Sequence, residues 1–586
     1  MASSTDIVTL DNFESKMPKW EPNLPNHLYA LVDMGSNGIR FSISDLSPPQ
    51  ARLLKCLYRE RAAISLYDAL NSSSASSGGS LRFPADTINQ VSQTLARFRS
   101  IADDYGVPPA QVSIFATEAM RKAENAGSML DAIREASGLG VQVLAPEVET
   151  LFGAMGARSS FAEVNGLFLD LGGGSVQMTY MDSAMEGYEV AAAQTGKSLP
   201  FGAARLIKIL ESDEAILHST AKNELRSGLQ GAFSKLQQQF PSLKALTEDS
   251  GASGIDIYLC GGGFRGYGSM LMHSDPIQPY PIPAVGAYTV TGDFFKQTDV
   301  MRKINHEYQG KVFGMSKRRR EQFPAIATVV ESLIAAVLNI RTVTFCSGGN
   351  REGALIMKLP KQVRETRPLK LLHQPGDQMS DETIDAVVRT IKSAVPVDFD
   401  MSSISTVFTL GLSPLFVGKI WSHFGEPSDA NAAYELHRAV SRDPSVPGFT
   451  HLARAVLGLT LCARWGSYLG PVDQQLHTSL RKLACDESPE AIYWAEYLGA
   501  VASVLTTICP AEPKTPGQLE KTIRFAAKMV KGNKHPHIEL TIAIARQAAI
   551  GLHPQDICSV FENLGKLKKD PLTVARKVDP IVISLS

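Results

Sequence analysis

Apolar positions along this chain fall into two regimes. Up to about Leu359, short apolar runs alternate with longer stretches of helical spacing. The runs Leu28–Val32, Val112–Ala116, Val141–Leu144, Gly166–Leu169, Ile255–Cys260 and Thr342–Phe345 read as buried strands. Between them, Ile88, Val91, Leu95, Phe98 and Ile101 recur at the period of a helix, stopped by Gly106 and Pro108. Helical spacing returns at Thr117–Ala136, Glu147–Ser160, Phe201–Leu210, Ser219–Phe240 and residues 323–340. Strands alternating with helices predict an α/β section. From Ser380 the pattern turns helical: Thr383–Ala394, Asn431–Ser441, Phe449–Trp465, Pro489–Thr507, Pro516–Val530 and His537–Ile550. An all-α C-terminal domain is therefore expected, with Pro571–Leu585 closing the chain as a strand-like stretch that pairs back.

These changes of pattern set the expected boundaries. Residues 1–27 are polar and proline-dotted and read as a flexible arm. Residues 28–160 and 161–359 form two α/β lobes, 360–380 a charged, proline-containing linker, and 381–586 the helical domain. The serine- and glycine-rich run Asn71–Ser80 reads as a mobile surface loop.

Each lobe opens with the same device. Val32-Asp33-Met34-Gly35-Ser36-Asn37-Gly38 and Leu169-Asp170-Leu171-Gly172-Gly173-Gly174-Ser175 both run from an apolar strand through an acidic turn into an alternating strand. The two superpose without a gap, Asp33 on Asp170 and Gly35 on Gly172, which indicates duplication. Three consecutive glycines weaken a strand. A backbone that must bring its N–H groups against phosphate gives them a purpose. Two further strand-to-glycine turns, at Gly261-Gly262-Gly263 and Gly348-Gly349, are followed by Arg265 and Arg351. Acidic turns can hold a divalent cation and orient water, and arginines can meet phosphate oxygens, so a cleft between the lobes becomes the candidate site.

Composition narrows this little. The 586 residues are 44% hydrophobic and 20% charged, which suits a globular protein of several domains. A net charge of -1 supplies no global field toward nucleic acid or an anionic membrane. The basic runs Lys317–Arg320 and Lys361–Lys370 read as solvated faces or linker. Seven scattered cysteines form no CxxC pair, Cys260 and Cys346 closing apolar strands, so a reducing compartment is expected. There is no basic-then-apolar leader at residues 1–25, and no uncharged apolar stretch long enough to span a bilayer. A cytoplasmic location follows as the expectation. P-loop, Rossmann and HExxH motifs are absent.

Taken together, Asp33-Met34-Gly35-Ser36-Asn37, Thr117-x-x-x-Arg121-x-x-x-Asn125, Glu149, Asp170-Leu171-Gly172-Gly173-Gly174-Ser175 and Arg351-Glu352-Gly353 resemble the exopolyphosphatase/guanosine pentaphosphate phosphohydrolase family of the actin-like ATPase superfamily. The resemblance covers residues 28–358. It implies two actin-like, ribonuclease H-like lobes around a cleft, then a helical region. Carried over by position, it implies a first phosphate loop at Asp33, Gly35, Ser36 and Asn37, with Arg40 on the returning strand. Thr117 and Arg121 would contact phosphate, and Gly172, Gly173, Gly174 and Ser175 would form the second loop, joined by Gly261, Gly262 and Arg265. Glu149, in preference to Glu147, would activate water, and Asp170 with Asp33 would hold magnesium. ATP or another phosphate-rich compound would be the ligand.

Two departures bear on chemistry. The family's active enzymes carry a glutamate two residues past the loop serine, and this chain has Gln177. An amide neither accepts a proton at neutral pH nor balances a cation's charge. Gly38 replaces a serine in the first loop. The helical region lacks a His-Asp dipeptide, and His535 and His537 read as surface residues beside a proline. Gln177 and the segment Cys260–Arg265 are most similar to a fungal retrograde-signalling branch of the family. That similarity implies a regulator acting through protein partners on transcription factors, without direct nucleic-acid or membrane binding. It leaves self-association into a homodimer open. The second reading is a working magnesium-dependent exopolyphosphatase or guanosine pentaphosphate phosphohydrolase.

Overall fold

A computed structural model describes residues 7–585, apart from 18, 73–80, 249–253, 373–378, 398–405, 424–427, 444–445, 488, 532–535, 563, 565–571, 573 and 575. The expected loop at Asn71–Ser80 lies outside the described residues beyond Ser72, and so does His535. The chain divides into two compact units, one of residues 1–274, 284–366 and 445–447, the other of 275–283, 367–444 and 448–586.

The first unit holds two six-stranded sheets. In the first sheet the hairpin β2 (Leu28–Gly35) and β3 (Gly38–Asp45) continues antiparallel into β4 (Lys55–Ala62). On the other side β5 (Val112–Ala116) and β6 (Val141–Leu144) add parallel to β2. The second sheet repeats this with β7 (Asn165–Leu171), β8 (Val176–Asp182) and β9 (Lys197–Leu199), then β10 (Ile255–Cys260) and β12 (Ile340–Phe345) parallel to β7. Each sheet adds one edge strand beyond this shared order, β1 (Ile7–Val8) on β6 and β11 (Tyr288–Thr291) on β12. The shared order is the physical form of the duplication seen in the sequence.

The expected arm at residues 1–27 is corrected where it is described. Ile7 pairs with Val143 and Val8 with Leu144, so β1 covers the otherwise open edge of β6. Phe13, Met17 and Trp20 are buried, and the Trp20 indole N–H donates to the Leu46 carbonyl at 2.9 Å. Their spacing of four and three residues is that of a helical face, a signal that the polar, proline-dotted composition around them obscures. The expected linker is corrected in its first part as well. Lys361–Arg364 is helical, Arg364 pairs with Glu189, and Glu365 accepts from Arg158 (2.7 Å) and Tyr188 (2.8 Å). Charges read as solvated therefore form a buried network, completed by Arg52 donating to the Arg364 carbonyl at 2.6 Å.

Two helices, Pro146–Arg158 and Asn350–Lys358, cross with their backbones in contact. A Cβ on Gly156 would land on the Gly349 carbonyl, and one on Gly353 would land on the Phe152 carbonyl. Glycine at both positions is what permits the approach. Val148, Leu151, Phe152, Met155, Leu355 and Ile356 surround the crossing in one apolar core.

The second unit is helical over most of its length, with helices Asp381–Lys392, Ser428–Ser441, His451–Arg464, Pro471–Glu487 and Pro489–Ile508. The last of these is long and apolar enough to cross a membrane, and most of it is buried in the fold. The all-α expectation is corrected by a three-stranded sheet of β13 (Ile523–Val530), β14 (His537–Ile544) and β15 (Lys577–Ser584). The helices expected at Pro516–Val530 and His537–Ile550 are mostly these strands. Ile538, Leu540, Ile542 and Ile544 are buried and alternate with polar or small residues, a period of two that decides for strand. β15 pairs back parallel onto β14, as expected of the closing segment. His537 starts β14 half-buried, 3.4 Å from Asp579, and so is not a surface residue in a turn.

Candidate functional site

The two acidic hairpins and the helix starts beside them line one cleft of about 180 Å³. In the first hairpin Asp33 stands opposite Arg40 and Gly35 opposite Gly38, leaving Ser36 and Asn37 as the turn. Gly38 adopts a φ of +154°, and a Cβ there would meet the Arg61 guanidinium and the Ala62 carbonyl. The missing serine therefore makes room for Arg61, which donates to the Asn37 carbonyl at 2.9 Å.

In the second hairpin Gly172 N–H donates to the Ser175 carbonyl, closing the turn. The N–H groups of Gly202, Ala203 and Ala204, at the start of helix Ala203–Leu210, donate to the carbonyls of Gly174, Gly172 and Gly173. The loop's carbonyls are thereby satisfied. The N–H groups of Gly173, Gly174 and Ser175 take no backbone partner among the described residues and remain as donors. The two loops meet: a Cβ on Gly173 would strike the Asn37 side chain, and one on Gly174 would strike Glu118 and approach Ser36 Oγ.

Asp170 pairs across strands with Gln177 and with Cys260. Its carboxylate lies against Gly261, whose φ of +84° starts helix Gly261–His273. A Cβ on Gly153 would stand 3.5 Å from Asp170 Oδ2, 3.5 Å from Asn350 Oδ1 and 3.9 Å from Gln177 Oε1, so three side-chain oxygens converge over that glycine. Asp33 is 5% exposed, and its Oδ1 has no hydrogen-bond partner among the described residues. Burial raises Asp33 and Asp170 above the usual carboxylate range; Arg40 and Arg351 oppose this at Asp33, Arg265 and Arg40 at Asp170.

Glu149 lies in the first turn of helix Pro146–Arg158. Burial raises its pKa to about 7 against the opposing charge of Arg121, with Asp33 adding to the rise. Arg121 donates to Glu149 Oε2 at 3.0 Å and to the Leu144 carbonyl, and it does not line the cleft. Of the side chains expected to contact phosphate it is the one outside the cleft lining, its guanidinium committed to the Glu149 carboxylate one helix away.

The cleft brings together Asp33, Gly35, Ser36, Asn37, Arg40, Thr117, Glu149, Asp170, Gly172, Gly173, Gly174, Ser175, Gly261, Gly262 and Arg265, as the sequence expectation had them. It also brings in Arg61, Ser316, Arg318, Arg319, Gln322 and Asn350, which the sequence reading did not assign. The Lys317–Arg320 run is thus corrected in part, since two of its arginines face the cleft. Arg319 is held down to about 10 by burial and by Arg265, Arg40 and Arg61. The only signal in the sequence was the basic run itself. Five arginines against three carboxylates among the lining residues leave an excess of positive charge.

Comparison with known proteins follows the same division. Residues 46–362 match the Ppx/GppA phosphatase family, and residues 370–576 match the RTG2 C-terminal domain. The chain is 30% identical to retrograde regulation protein 2 of Saccharomyces cerevisiae over 499 residues, covering 83% of this chain and 81% of that protein. It is 26% identical to exopolyphosphatase 1 of Mycobacterium leprae over 345 residues, covering 57% of this chain and 91% of the other. Among solved structures, the Aquifex aeolicus member of the Ppx/GppA family aligns with a TM-score of 0.44 and 20% identity, over 57% of this chain and 98% of the other.

Proposed function

The chain belongs to the Ppx/GppA phosphatase family, and we propose that it works in retrograde regulation as a receptor for a phosphate-chain anion, with hydrolysis reduced or lost. The observation that carries this reading is Gln177 opposite Asp170: Asp33, Glu149 and Asp170 line the cleft, but where the family's active enzymes carry a further carboxylate this chain has an amide. Lobes that rearrange on a bound anion would change the surface offered to regulatory protein partners, which in turn act on transcription factors. The proposed setting is the cytoplasm, without direct contact to nucleic acid or membrane.

The lining supports a phosphate chain over a nucleoside. Among the described lining residues there is no aromatic ring, and Leu171 is the one apolar side chain beyond glycine. A base would find neither a stacking face nor an apolar slot. Backbone N–H donors at Gly173, Gly174 and Ser175, with the guanidiniums of Arg40, Arg61, Arg265 and Arg319, suit successive phosphate groups.

Magnesium fits the residues present. Asp33 Oδ1 is buried without a partner among the described residues, and Asp170 Oδ2 lies in the same oxygen-lined space as Gln177 Oε1 and Asn350 Oδ1. Asp33 and Asp170 would hold the ion, with phosphate oxygens and water completing its shell. When bound, it would supply positive charge against the phosphates. Any remaining hydrolysis uses Glu149, in its ionised form, to take a proton from the attacking water, while the arginines stabilise charge on the phosphoryl oxygens.

The test is direct. Binding of tripolyphosphate and of long-chain polyphosphate is measured by calorimetry alongside phosphate release with magnesium. Binding with little or no release is expected. Rapid release that is lost in Asp170→Ala would instead establish the second reading, an active exopolyphosphatase.

A further inference from the structure

The mouth of the cleft carries a contact between the lobes that no phosphate chemistry requires. Helix Leu66–Ser72 of the first lobe is seated on the first phosphate loop: Tyr67 N–H donates to the Ser36 carbonyl at 3.0 Å, and Ser65 Oγ reaches the same carbonyl at 3.3 Å. Asp68, on the first turn of that helix, turns both carboxylate oxygens to the second lobe. Its Oδ2 accepts from Arg318 at 2.8 Å and its Oδ1 pairs with Lys208 at 3.0 Å. The same Nη2 of Arg318 also reaches Asn37 Oδ1 and Ser65 Oγ, each at 3.0 Å. Lys208 lies 5.1 Å over the Tyr67 ring.

Arg318 lines the cleft, yet these three contacts commit its Nη2 to the first lobe. A phosphate oxygen entering there meets a guanidinium already occupied by a carboxylate of this chain. Side-chain exposures of 44% for Asp68, 33% for Arg318 and 47% for Lys208 leave the contact open to water and salt. Such pairs are individually weak and break readily. That suits a latch better than a structural bond.

We infer that Asp68 is an internal competitor for the cleft's anionic ligand, clasping the two lobes through Arg318 and Lys208 until a phosphate chain displaces it from Arg318. This rests on the reading of the cleft as a phosphate-chain site. A chain that extends to the mouth is needed, so tripolyphosphate should release the clasp and orthophosphate should not.

The experiment uses the full-length chain with a dye pair on non-natural side chains at Asp104 and Glu224, exposed positions on the two lobes. Energy transfer reports the separation of the lobes, and calorimetry reports tripolyphosphate binding. Asp68→Asn is expected to widen the separation without ligand and to tighten tripolyphosphate binding by about fivefold or more. Arg318→Gln is expected to widen it less, because Lys208 still holds Asp68, and to weaken binding, because the cation itself is gone. Raising salt should widen the wild type and leave Asp68→Asn unchanged. Unchanged separation and affinity in Asp68→Asn would overturn the clasp. If neither wild type nor Asp68→Asn binds tripolyphosphate, the phosphate-chain reading falls, and the separation alone decides whether Asp68 holds the lobes.

Discussion

Gln177 faces Asp170 directly across the antiparallel β7–β8 pair, so an amide occupies the position nearest the candidate metal-holding carboxylate. Opposed side chains on one face of a sheet lie about 5 Å apart between Cβ atoms. Restoring a carboxylate there should therefore restore charge to the same oxygen-lined space. Gln177→Glu is expected to raise magnesium-dependent phosphate release by about tenfold or more, within the usual contribution of a positioned acid or base. Without magnesium it should weaken polyphosphate binding, since an uncompensated negative charge is added. Release unchanged from wild type would show that Gln177 is not what limits the chemistry.

Glu149, if it is the base, should set the pH dependence of any turnover. Its pKa is pushed up to about 7 by burial, so it is mostly protonated below that pH and cannot accept a proton from water. Turnover, in wild type or in Gln177→Glu, should rise as pH passes through about 7 and level off above it. Glu149→Gln should remove that limb and lower the rate by roughly a hundredfold. A rate that is flat from pH 5 to pH 9, in a buffer series covering roughly that range, would exclude Glu149 as the base.

Arg121 and Arg61 should separate in a kinetic comparison. Arg121 holds Glu149 at 3.0 Å and does not line the cleft, whereas Arg61 lines it. Arg121→Ala removes a charge that favours ionised Glu149, so the acid limb should move to higher pH with little change in polyphosphate affinity. Arg61→Ala should weaken polyphosphate binding by about tenfold, near the value of a charge-assisted hydrogen bond, and leave the limb in place. Equal loss of affinity in both variants would return Arg121 to the phosphate-contacting role expected from sequence.

The helix crossing between the lobes predicts a stability effect far from any ligand. Gly353→Ala would drive a Cβ into the Phe152 carbonyl, and Gly156→Ala would drive one into that of Gly349. Backbone atoms cannot rotate away as side chains do, so each change should cost about 1–3 kcal/mol or more. Urea unfolding followed by circular dichroism reads this out. Glycine-to-alanine changes at Gly231 and Gly517, where a Cβ meets nothing, serve as the tolerated comparison.

Residue order alone encodes the parts whose physics is local. A hairpin's register follows from its own alternation, so the acidic turns at Asp33 and Asp170 and their duplication were legible from residue order. The glycines after the strand ending at Cys260 were legible as a turn, but not the helix Gly261–His273 that they open. The period of two in Ile538, Leu540, Ile542 and Ile544 is also present, and Arg546, Gln547 and Ala548 just beyond it extend the run with residues that favour a helix. Features that depend on distant segments meeting emerge with the folded chain. Arg61, Arg318 and Arg319 enter the cleft from an edge strand and a short helix whose positions no local pattern encodes. Arg121 turned out to hold Glu149, and the polar N-terminal segment became an edge strand because β6 had an open edge. A charged run looks the same in sequence whether water or a phosphate site faces it. What distinguishes the two is the low dielectric and the neighbouring charges that folding assembles around it.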